Sequence, residues 1–333
     1  MTEWRKGVVF GVGAIVLALA SFAWVLSGCD AQGETIHVDG SSTVAPISTA
    51  VAEEFRNEDP SVRIPIGTSG TGGGFKRFIK GETDISNASR PIKKAEAQQL
   101  EQAGIEFIEL PVAYDGLTFV VSKENNFIQQ LTVDDLKKIF VDGSTATKWS
   151  DVREDWPAKD IRVFMPGTDS GTFDYFKEVV VGDGNVRGGP AFQTSEDDNV
   201  LVTGVKGSPD ALGFFGCAYY FENRDTLRSV PIVNPENGAA VSPTKETIES
   251  GEYAPFSRPL FIYVKKSSLE SSEAVKKFVS FYLESAGKLA EDVGYVRLPE
   301  AIVELSKTNA ESLKTGSQFL DDKGERPMDL LAL

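Results

Sequence analysis

The chain has 333 residues, of which 34 are Lys or Arg, 49 are Asp or Glu, one is His and two are Cys, so its formal net charge is −15. Nucleic-acid binding depends on Lys and Arg that neutralise phosphates, so we expect no nucleic-acid partner for so acidic a chain. A single histidine cannot form a multi-histidine zinc site, and two cysteines cannot form a disulfide scaffold, so we expect neither a metal nor a cofactor.

The N-terminus has the pattern of an export signal. Arg5 and Lys6 precede an uncharged stretch over residues 7–29, and positive residues followed by an apolar run are typical of a secretory signal. The stretch ends in the letters LSGC at residues 26–29, which resemble the bacterial lipobox. That resemblance implies cleavage before Cys29 and attachment of a diacylglycerol to its sulfur.

We therefore expect residues 1–28 to be a lipoprotein signal peptide, Cys29 to be the lipidated residue and residues 29–33 to form a tether. An uncleaved membrane helix is the alternative, because about 20 apolar residues can span a bilayer. Both interpretations place the rest of the chain outside the cytoplasm and hold it at a membrane. The other cysteine, Cys217, lies in an apolar stretch and is expected to be a buried, unreactive thiol.

Beyond the signal, short apolar runs typical of strands alternate with amphipathic stretches typical of helices, which predicts an α/β fold. Strands are predicted over residues 35–38, 62–66, 107–110, 117–121, 161–165 and 260–264, and a strand with or without a loop over 211–221. Helices are predicted over residues 44–57, 75–80, 92–103, 133–140, 173–180 and 272–283, with more helix near the end. Residues 321–333 are expected to be a loosely held tail.

Two of the predicted strands, 117–121 and 260–264, enclose a middle block of the chain. A chain that leaves one domain, builds a second and returns needs two such crossings. This pattern predicts a discontinuous domain I, formed by residues 34–112 plus 264–320, and a domain II formed by residues 113–263.

Three segments share one layout, in which a predicted strand is followed by a turn of small residues and then by a predicted helix. Their sequences are DGSSTV at 39–44, GTSGTGGG at 67–74 and PGTDSGT at 166–172. The first N–H groups of a helix lack intrahelical partners and carry partial positive charge, so such turns favour anion binding. Each turn alone is also typical of a simple helix cap, but three alike favour a shared site. None is a nucleotide P-loop, because no Gly-Lys-Ser/Thr follows the glycines.

A fourth segment, DISNASRP at residues 84–91, places Arg90 between small residues and a proline. The guanidinium of Arg90 could bind an oxyanion in the same cleft through two parallel hydrogen bonds. The alternative is a surface salt bridge, which the sequence permits equally well.

Four motifs in this chain, DGSSTVAPI, GTSGTGGGFKRFIKGETDISNASRPI, AYDGLTFVV and PGTDSGTFDYF, resemble those of a known family. In this order behind a lipobox, they look like the phosphate-binding protein of the phosphate-specific ABC transporter, the PstS type. The resemblance implies the type II periplasmic binding-protein fold, in which two crossing strands join two α/β domains and the ligand lies in the cleft between them. It also implies inorganic phosphate as the ligand, and a membrane permease with its ATPase as partners.

The resemblance implies ligand contacts from all three turns. These contacts are Ser42, Thr43 and the amide of Val44 from the first turn, Ser69 from the second, and Ser170, Gly171 and Thr172 from the third. Further candidates for ligand contacts are Ser41, Gly70, Thr71, Asp169, Asp115 and Asp39.

The sequence departs from the enterobacterial form of this family at two positions. That form has an arginine four residues before Ser-Gly-Thr, where this chain has Pro166. It also has an aspartate that accepts the ligand's proton, where this chain has Arg90. We infer that Arg90 supplies the positive contact, and the carboxylate that accepts the proton stays open among Asp169, Asp39 and Asp115.

Two other functions fit parts of the pattern. A binding protein of the same fold for sulfate or molybdate would use the same turns. A phosphate-ester hydrolase would need an activated nucleophile or metal ions. However, Ser170 is not in a G-x-S-x-G turn, and the only imidazole, that of His37, lies in a predicted strand. We therefore expect a binding protein, not an enzyme.

Overall fold

The computed structural model describes residues 33–168, 170–195 and 197–318. The expected signal peptide, the expected lipidation site Cys29, most of the tether and the tail over 321–333 lie outside the described residues. Within the described part of the chain, no helix is long and apolar enough to cross a membrane.

The described residues form a mixed α/β structure, as predicted. Their strands are β1 Val38–Gly40, β2 Ile85–Ala88, β3 Phe107–Ser122, β4 Val163–Pro166, β5 Phe192–Ser195, β6 Leu212–Gly216, β7 Leu227–Ser229, β8 Ile232–Val233, β9 Ala240–Val241 and β10 Ser257–Lys265. Their α-helices are α1 Ala45–Glu58, α2 Thr71–Ile79, α3 Lys94–Gln102, α4 Val133–Phe140, α5 Trp149–Val152, α6 Gly171–Phe176, α7 Asp198–Lys206, α8 Cys217–Asn223, α9 Lys245–Glu249, α10 Lys266–Ser271, α11 Glu273–Asp292 and α12 Glu300–Glu311. A π-helical turn, Lys177–Val181, continues α6.

The main sheet of the described chain has the strand order β1-β2-β10-β3-β6-β4-β5, with β7 also paired to β3. Strand β3 is 16 residues long and is buried along its whole length, as expected for a strand that is covered on both faces. Its residues 107–116 pair with β10, and its residues 117–122 pair with β6 and β7. Strand β3 therefore belongs to two halves of the sheet and connects them.

Each half of the sheet packs against its own helices, and one large cluster of buried side chains runs across both halves. The first half contains β1, β2, β10 and residues 107–116, and helices α1 and α11 pack together on it with the rings of Phe55 and Phe278 5.3 Å apart. The second half contains β4, β5, β6, β7 and the end of β3, and there the rings of Phe176 and Phe214 stack at 4.3 Å. Such aromatic pairs add about 0.5–1.5 kcal/mol each beyond the burial of their surface.

Some predicted elements are observed with little change. Helix α4 has the predicted bounds, because Thr132 and Asp135 form a reciprocal capping box at its start. The strands predicted over 107–110 and 117–121 are the two ends of the single strand β3. Pro111 makes the intervening segment unlike an ordinary strand, and the pairing register with β10 shifts by one residue beside it.

Two predictions in the first half are wrong. Residues 62–66 do not form a strand but two isolated bridges, which join Arg63 to Thr35 and Ile66 to Val38. The helix predicted over 75–80 begins earlier, at Thr71, so that three glycines lie in its first turns. Glycine is required in α2 because a Cβ on Gly74 would lie 2.5 Å from the Cα of Gly40.

Three further elements, which lie around the cleft between the two halves of the sheet, also differ from the prediction. The helix predicted over 173–180 begins at Gly171 and continues as the π turn. Residues 211–221 contain the short strand β6 and then helix α8, whereas a strand or a strand with a loop was predicted. Strand β2 was not predicted, because Ile85 is the only β-branched or aromatic residue among the four in its sequence, ISNA.

Candidate anion-binding cleft

A cavity of about 240 Å³ lies between the two halves of the sheet. Its wall carries hydroxyls, glycine backbone and charged side chains. The lining residues are Ser41, Ser42, Thr43, Gly70, Thr71, Gly72, Ser89, Arg90, Asp174, Glu178 and Arg258. The structure thus brings the first two predicted turns and Arg90 to one place, opposite the helix that follows the third turn.

The first turn connects β1 to α1 and spans the cleft. Helix α1 has no side-chain cap, so the hydroxyls of this turn are not used for capping. Ser42 Oγ donates a hydrogen bond to Asp174 Oδ2 at 2.9 Å, and Thr43 Oγ1 donates to the carbonyl oxygen of Gly171 at 3.3 Å. Val44 is fully buried behind them. Both hydroxyls therefore hold the first half of the sheet against the second.

The second turn leads into α2 and is fixed from behind by Asp39. The backbone N–H and the hydroxyl of Ser69 donate to Asp39 Oδ1 at 3.0 and 2.7 Å, and Arg77 forms an ion pair with the same carboxylate. Ser69 does not line the cavity, although the next residues, Gly70 and Thr71, do. Thr71 Oγ1 lies 3.1 Å from Ser89 Oγ, which joins this turn to the end of β2.

The Asp39 carboxylate is expected to contribute acid-sensitive stability. Burial alone raises the pKa of Asp39, but the hydrogen bonds from Ser69 and the charge of Arg77 outweigh it, so this pKa lies below its ordinary value. A lowered pKa stabilises the fold above the ordinary value of about 4, and this contribution is lost as the pH falls through the lowered value. Asp39→Asn should therefore lower the free energy of unfolding by about 1.5–3 kcal/mol at neutral pH.

The measurement is urea unfolding of both proteins at a series of pH values. The difference between them should shrink with acidification, whereas a difference that stays constant into acid would contradict the assignment. Asp183→Asn, at an exposed position outside the cavity, controls for the loss of one negative charge.

The third turn acts as a helix cap and as a packing surface. Ser170 Oγ accepts a hydrogen bond from the N–H of Thr172 at 3.2 Å and so caps α6. Gly171 packs on the first turn so closely that a Cβ there would lie 2.5 Å from the Cα of Thr43. None of these three residues lines the cavity, and Asp169 lies outside the described residues.

Arg90 lines the cavity and also forms a salt bridge. Its Nη1 and Nη2 donate to the two carboxylate oxygens of Glu96 at 2.9 and 2.8 Å, and its guanidinium lies 5.5 Å from the centre of the Phe75 ring. The salt bridge weighed from the sequence is therefore present at one edge of the guanidinium, and the side chain also borders the cavity.

Arg258, at the start of β10, is a lining residue that the sequence did not reveal. Its side chain is only 11% exposed, and its guanidinium contacts both halves of the sheet. Nη2 donates to Thr43 Oγ1 at 3.1 Å, Nη1 lies 3.3 Å from Glu178 Oε2, and Nε lies 3.3 Å from Asp115 Oδ2. The guanidinium also lies 3.6 Å from the centre of the Tyr175 ring. A cation so enclosed is suited to hold an anion.

Asp115 holds Arg258 and does not line the cavity. Its side chain is almost fully buried, and burial raises the pKa of Asp115 while the charge of Arg258 acts in the opposite direction. Antiparallel pairing of β3 with β10 places Asp115 directly opposite Arg258. Removing either partner would leave a buried, unpaired group.

Comparison with known proteins identifies the family. The family model described as the PBP superfamily domain matches residues 27–286. The phosphate-binding protein PstS of Staphylococcus haemolyticus is 41% identical over 332 residues, which cover 98% of this chain and all of that protein. The chain belongs to the PstS family. A further relative is protein SphX of Synechococcus elongatus, which is 45% identical. The match covers 91% of this chain and 89% of that protein.

The fold of this chain is also similar to that of a solved structure. The crystal structure of a possible phosphate binding protein from Planctomyces limnophilus matches with a TM-score of 0.81 and 46% identity, and the match covers 85% of this chain and 99% of that one. The predicted type II periplasmic binding-protein fold is therefore confirmed.

Proposed function

We propose that this protein binds inorganic phosphate in the cleft and delivers it to a membrane permease with its ATPase, as part of an ABC transporter. Membership of the PstS family supports this proposal. The observation that carries it is a cavity between the two halves of the sheet that is lined by hydroxyls, a glycine turn and two arginines. Charge-assisted hydrogen bonds from guanidinium groups are the strongest contacts that such a wall can offer to an oxyanion.

In this proposal the ligand contacts come from both halves of the sheet. Ser42, Thr43 and the amide of Val44 bind the anion from the first turn, and Arg90 and Arg258 supply the positive charge. Gly171 stays against Thr43 and keeps the turn of Ser170 and Thr172 beside the first turn. Three other candidates named from the sequence, Ser41, Gly70 and Thr71, form part of the cavity wall. Three more act indirectly: Ser69 and Asp39 bind each other behind the second turn, and Asp115 binds Arg258.

Delivery requires that the cleft opens and closes. The hydrogen bonds of Ser42 and Thr43 to the opposite half, and the contacts of Arg258 with both halves, would break when the halves separate. An anion that bridges the same groups stabilises the closed form, because it binds that form better than the open one. The permease can then distinguish a loaded from an unloaded protein by its shape.

The organisation of the full chain is part of the proposal. We propose a discontinuous domain I, expected over residues 34–112 plus 264–320, and a domain II, expected over residues 113–263. Residues 107–116 and β10 pair within the first half of the sheet, so in this proposal the boundaries move to 116/117 and 256/257. Residues 1–28 would be removed as a signal peptide, and a lipid on Cys29 would hold the protein on the outer face of a membrane or in the periplasm. Mass spectrometry of the protein from membranes tests this, since an uncleaved N-terminus would contradict it.

Arg90→Ala is expected to weaken phosphate binding by about 1.5–3 kcal/mol, the contribution of a hydrogen bond to a charged group, which corresponds to roughly 10- to 150-fold. The measurement is isothermal titration of phosphate into both proteins. Arg224→Ala, which removes an exposed arginine outside the cavity, is the control for the loss of positive charge. Equal affinities of Arg90→Ala and the unchanged protein would remove Arg90 from the site.

We propose that the protein is a binding protein and not a hydrolase. Within the described residues, no group of three or more His, Cys, Asp and Glu side chains is arranged to hold a metal ion. A turnover assay with a phosphate ester tests for hydrolysis. Competition of sulfate and molybdate with bound phosphate tests whether another oxyanion is the ligand, and stronger binding of either would overturn the choice of phosphate.

A further inference from the structure

The ring of Tyr175 faces the guanidinium of Arg258. The guanidinium carbon lies over this ring at 3.6 Å from its centre, which is within the separation of about 3.5–4.0 Å at which atoms attract most strongly. Tyr175 is only 4% exposed and does not line the cavity. An effect of Tyr175 on a ligand in the cavity would therefore pass through Arg258.

The hydroxyl of Tyr175 fixes the position of its ring. It donates a hydrogen bond to the carbonyl oxygen of Pro255 at 2.8 Å. Burial raises the pKa of Tyr175, so the hydroxyl keeps its proton and remains a donor. Pro255 lies just before β10, the strand on which Arg258 lies. The hydrogen bond thus ties the ring to the same segment of chain that carries the guanidinium.

Tyr175 and Glu178 come from one helical segment, which is formed by α6 and the π turn that continues it. Side chains three positions apart lie on the same side of a helix, and both of these contact Arg258. Thr43 and Asp115 contact the same guanidinium from the first half of the sheet. Three oxygen partners therefore surround the edge of the guanidinium, and the ring of Tyr175 covers one of its faces.

The contacts of the described chain leave part of the Arg258 guanidinium for a ligand. An arginine side chain has five N–H donors in one plane. Nε, Nη1 and Nη2 each donate once, to Asp115, Glu178 and Thr43. One further N–H on each Nη remains beside these three contacts. The plane of the guanidinium sets the direction of both, so a group that fixes this plane also aims the two remaining donors.

The three hydrogen bonds alone hold this plane weakly. Their lengths are 3.3 Å to Asp115, 3.3 Å to Glu178 and 3.1 Å to Thr43, whereas a hydrogen bond between charged groups is usually about 2.7–2.9 Å long. The Glu178 side chain is also 63% exposed, so water competes for it. The buried ring of Tyr175 is therefore the firmest restraint on the tilt of the guanidinium.

We propose that Tyr175 is a positioning residue, which fixes the plane of the Arg258 guanidinium and so aims its two remaining donors at the bound oxyanion. This inference rests on the proposed phosphate-binding function. A guanidinium is planar and stacks on an aromatic face, whereas the ammonium group of a lysine is a point charge without a plane. In this proposal the site uses the shape of the arginine as well as its charge.

The first test replaces the ring and the hydroxyl of Tyr175 separately and measures phosphate affinity by isothermal titration. Tyr175→Leu removes the ring, and we expect it to weaken binding by about 5- to 30-fold, the range of a cation–π contact that is shielded from water. Tyr175→Phe keeps the ring and loses the hydrogen bond to Pro255, and we expect its affinity to stay within about 3-fold of the unchanged protein. An unchanged affinity of Tyr175→Leu would overturn the proposal.

Two comparisons separate positioning from a general effect on the fold. Phe192→Leu is the matched control, because it removes a buried ring that faces another arginine, Arg187, outside the cavity. We expect it to lower stability and to leave phosphate affinity unchanged. In an Arg258→Lys background, which has no plane to orient, we expect Tyr175→Leu to weaken binding by less than about 3-fold. Equal losses in Phe192→Leu and Tyr175→Leu, or a full loss in the Arg258→Lys background, would show that Tyr175 does not act through Arg258.

The orientation of Arg258 is also measurable in the protein without phosphate. In an NMR spectrum, a guanidinium that is held in place gives separate signals for its Nη protons, because rotation about its C–N bonds is slow. We expect separate signals for Arg258 in the unchanged protein and in Tyr175→Phe, and an averaged signal in Tyr175→Leu. Averaging in the unchanged protein, or separate signals in Tyr175→Leu, would overturn the role of Tyr175. If these signals are as expected and the unchanged protein does not bind phosphate, the proposed function fails and not the hold of Tyr175 on Arg258.

Discussion

Replacement of Arg258 by alanine is expected to remove most of the phosphate affinity. Loss of one partner from a buried, hydrogen-bonded charge pair costs about 2–5 kcal/mol of binding, or roughly 30-fold to several thousandfold. Arg258 is the cavity cation that touches Thr43 in one half of the sheet and Glu178 in the other. Its loss therefore weakens both the hold on the anion and the closure of the cleft.

The same substitution is expected to destabilise the fold by about 3–5 kcal/mol, because Asp115 would stay buried without its partner. Two variants separate stability from binding. Arg258→Gln combined with Asp115→Asn removes the charge from both partners, and should recover stability but not affinity. Arg258→Lys keeps the charge but loses the planar fork, and should bind phosphate with an intermediate affinity. Full affinity in a folded Arg258→Gln, Asp115→Asn protein would exclude Arg258 from the site.

Gly171→Ala is expected to hinder closure of the cleft. A Cβ at this position would lie 2.5 Å from the Cα and 2.8 Å from the N of Thr43, so backbone on one side must move. Overpacking of this kind costs about 1–3 kcal/mol. Because the contact joins the two halves of the sheet, the cost falls on the closed form, and phosphate affinity should drop by roughly 5- to 150-fold.

The measurement for Gly171→Ala is phosphate titration together with small-angle X-ray scattering. The variant should stay more open than the unchanged protein at the same phosphate concentration. Gly188→Ala is the matched control, because no atom lies within 4 Å of a Cβ built at Gly188. An unchanged affinity of Gly171→Ala would show that the third turn does not press against the first in the phosphate-bound form.

Much of the fold follows from patterns that are local in the sequence. The alternation of apolar runs predicted the α/β class, and the capping box at Thr132 fixed the start of α4. The first turn was identified because the residues that face the cleft, Ser42 and Thr43, lie next to one another in the chain. The strands 117–121 and 260–264 were predicted from their apolar runs, and their role as crossings from the block of chain between them. Residues 117–121 proved to be one end of the longer strand β3, which connects the two halves, whereas β10 pairs within the first half.

The cation of the site could not be predicted in the same way. Arg258 reaches the cavity only because β10 pairs with β3 in a register that sets it opposite Asp115, 143 positions away in the chain. No local pattern contains that register. The signal that was present is a charged residue at the start of an apolar strand, FSRPLFIYV, since a charge in such a place is seldom buried without a partner.

The sequence also does not predict which way the side chains of the turns point. Ser69 faces Asp39 and not the cavity, and Ser170 caps its own helix. Both are ordinary uses of a turn serine, and the letters of the motif do not distinguish them from anion contacts. Asp174 and Glu178 were missed because a helical acidic residue is usually solvated surface.

The net charge of −15 gives the proposed function a physical constraint. A chain of negative net charge does not attract an anion over long range, and salt screens the effect of each surface charge beyond about 8 Å at physiological ionic strength. Affinity must therefore come from groups that touch the ligand: hydroxyls, backbone N–H groups and the two enclosed arginines. In the cavity, both arginines are paired with carboxylates, so their positive charge acts on a ligand in contact with them and not at long range.

The most direct test of the central claim is an isothermal titration of inorganic phosphate into the purified protein and into Arg258→Ala. We predict saturable binding of one phosphate per chain to the unchanged protein, with sulfate unable to displace it, and a large loss of affinity in the variant. No binding at millimolar phosphate, or equal binding by both proteins, would contradict the account.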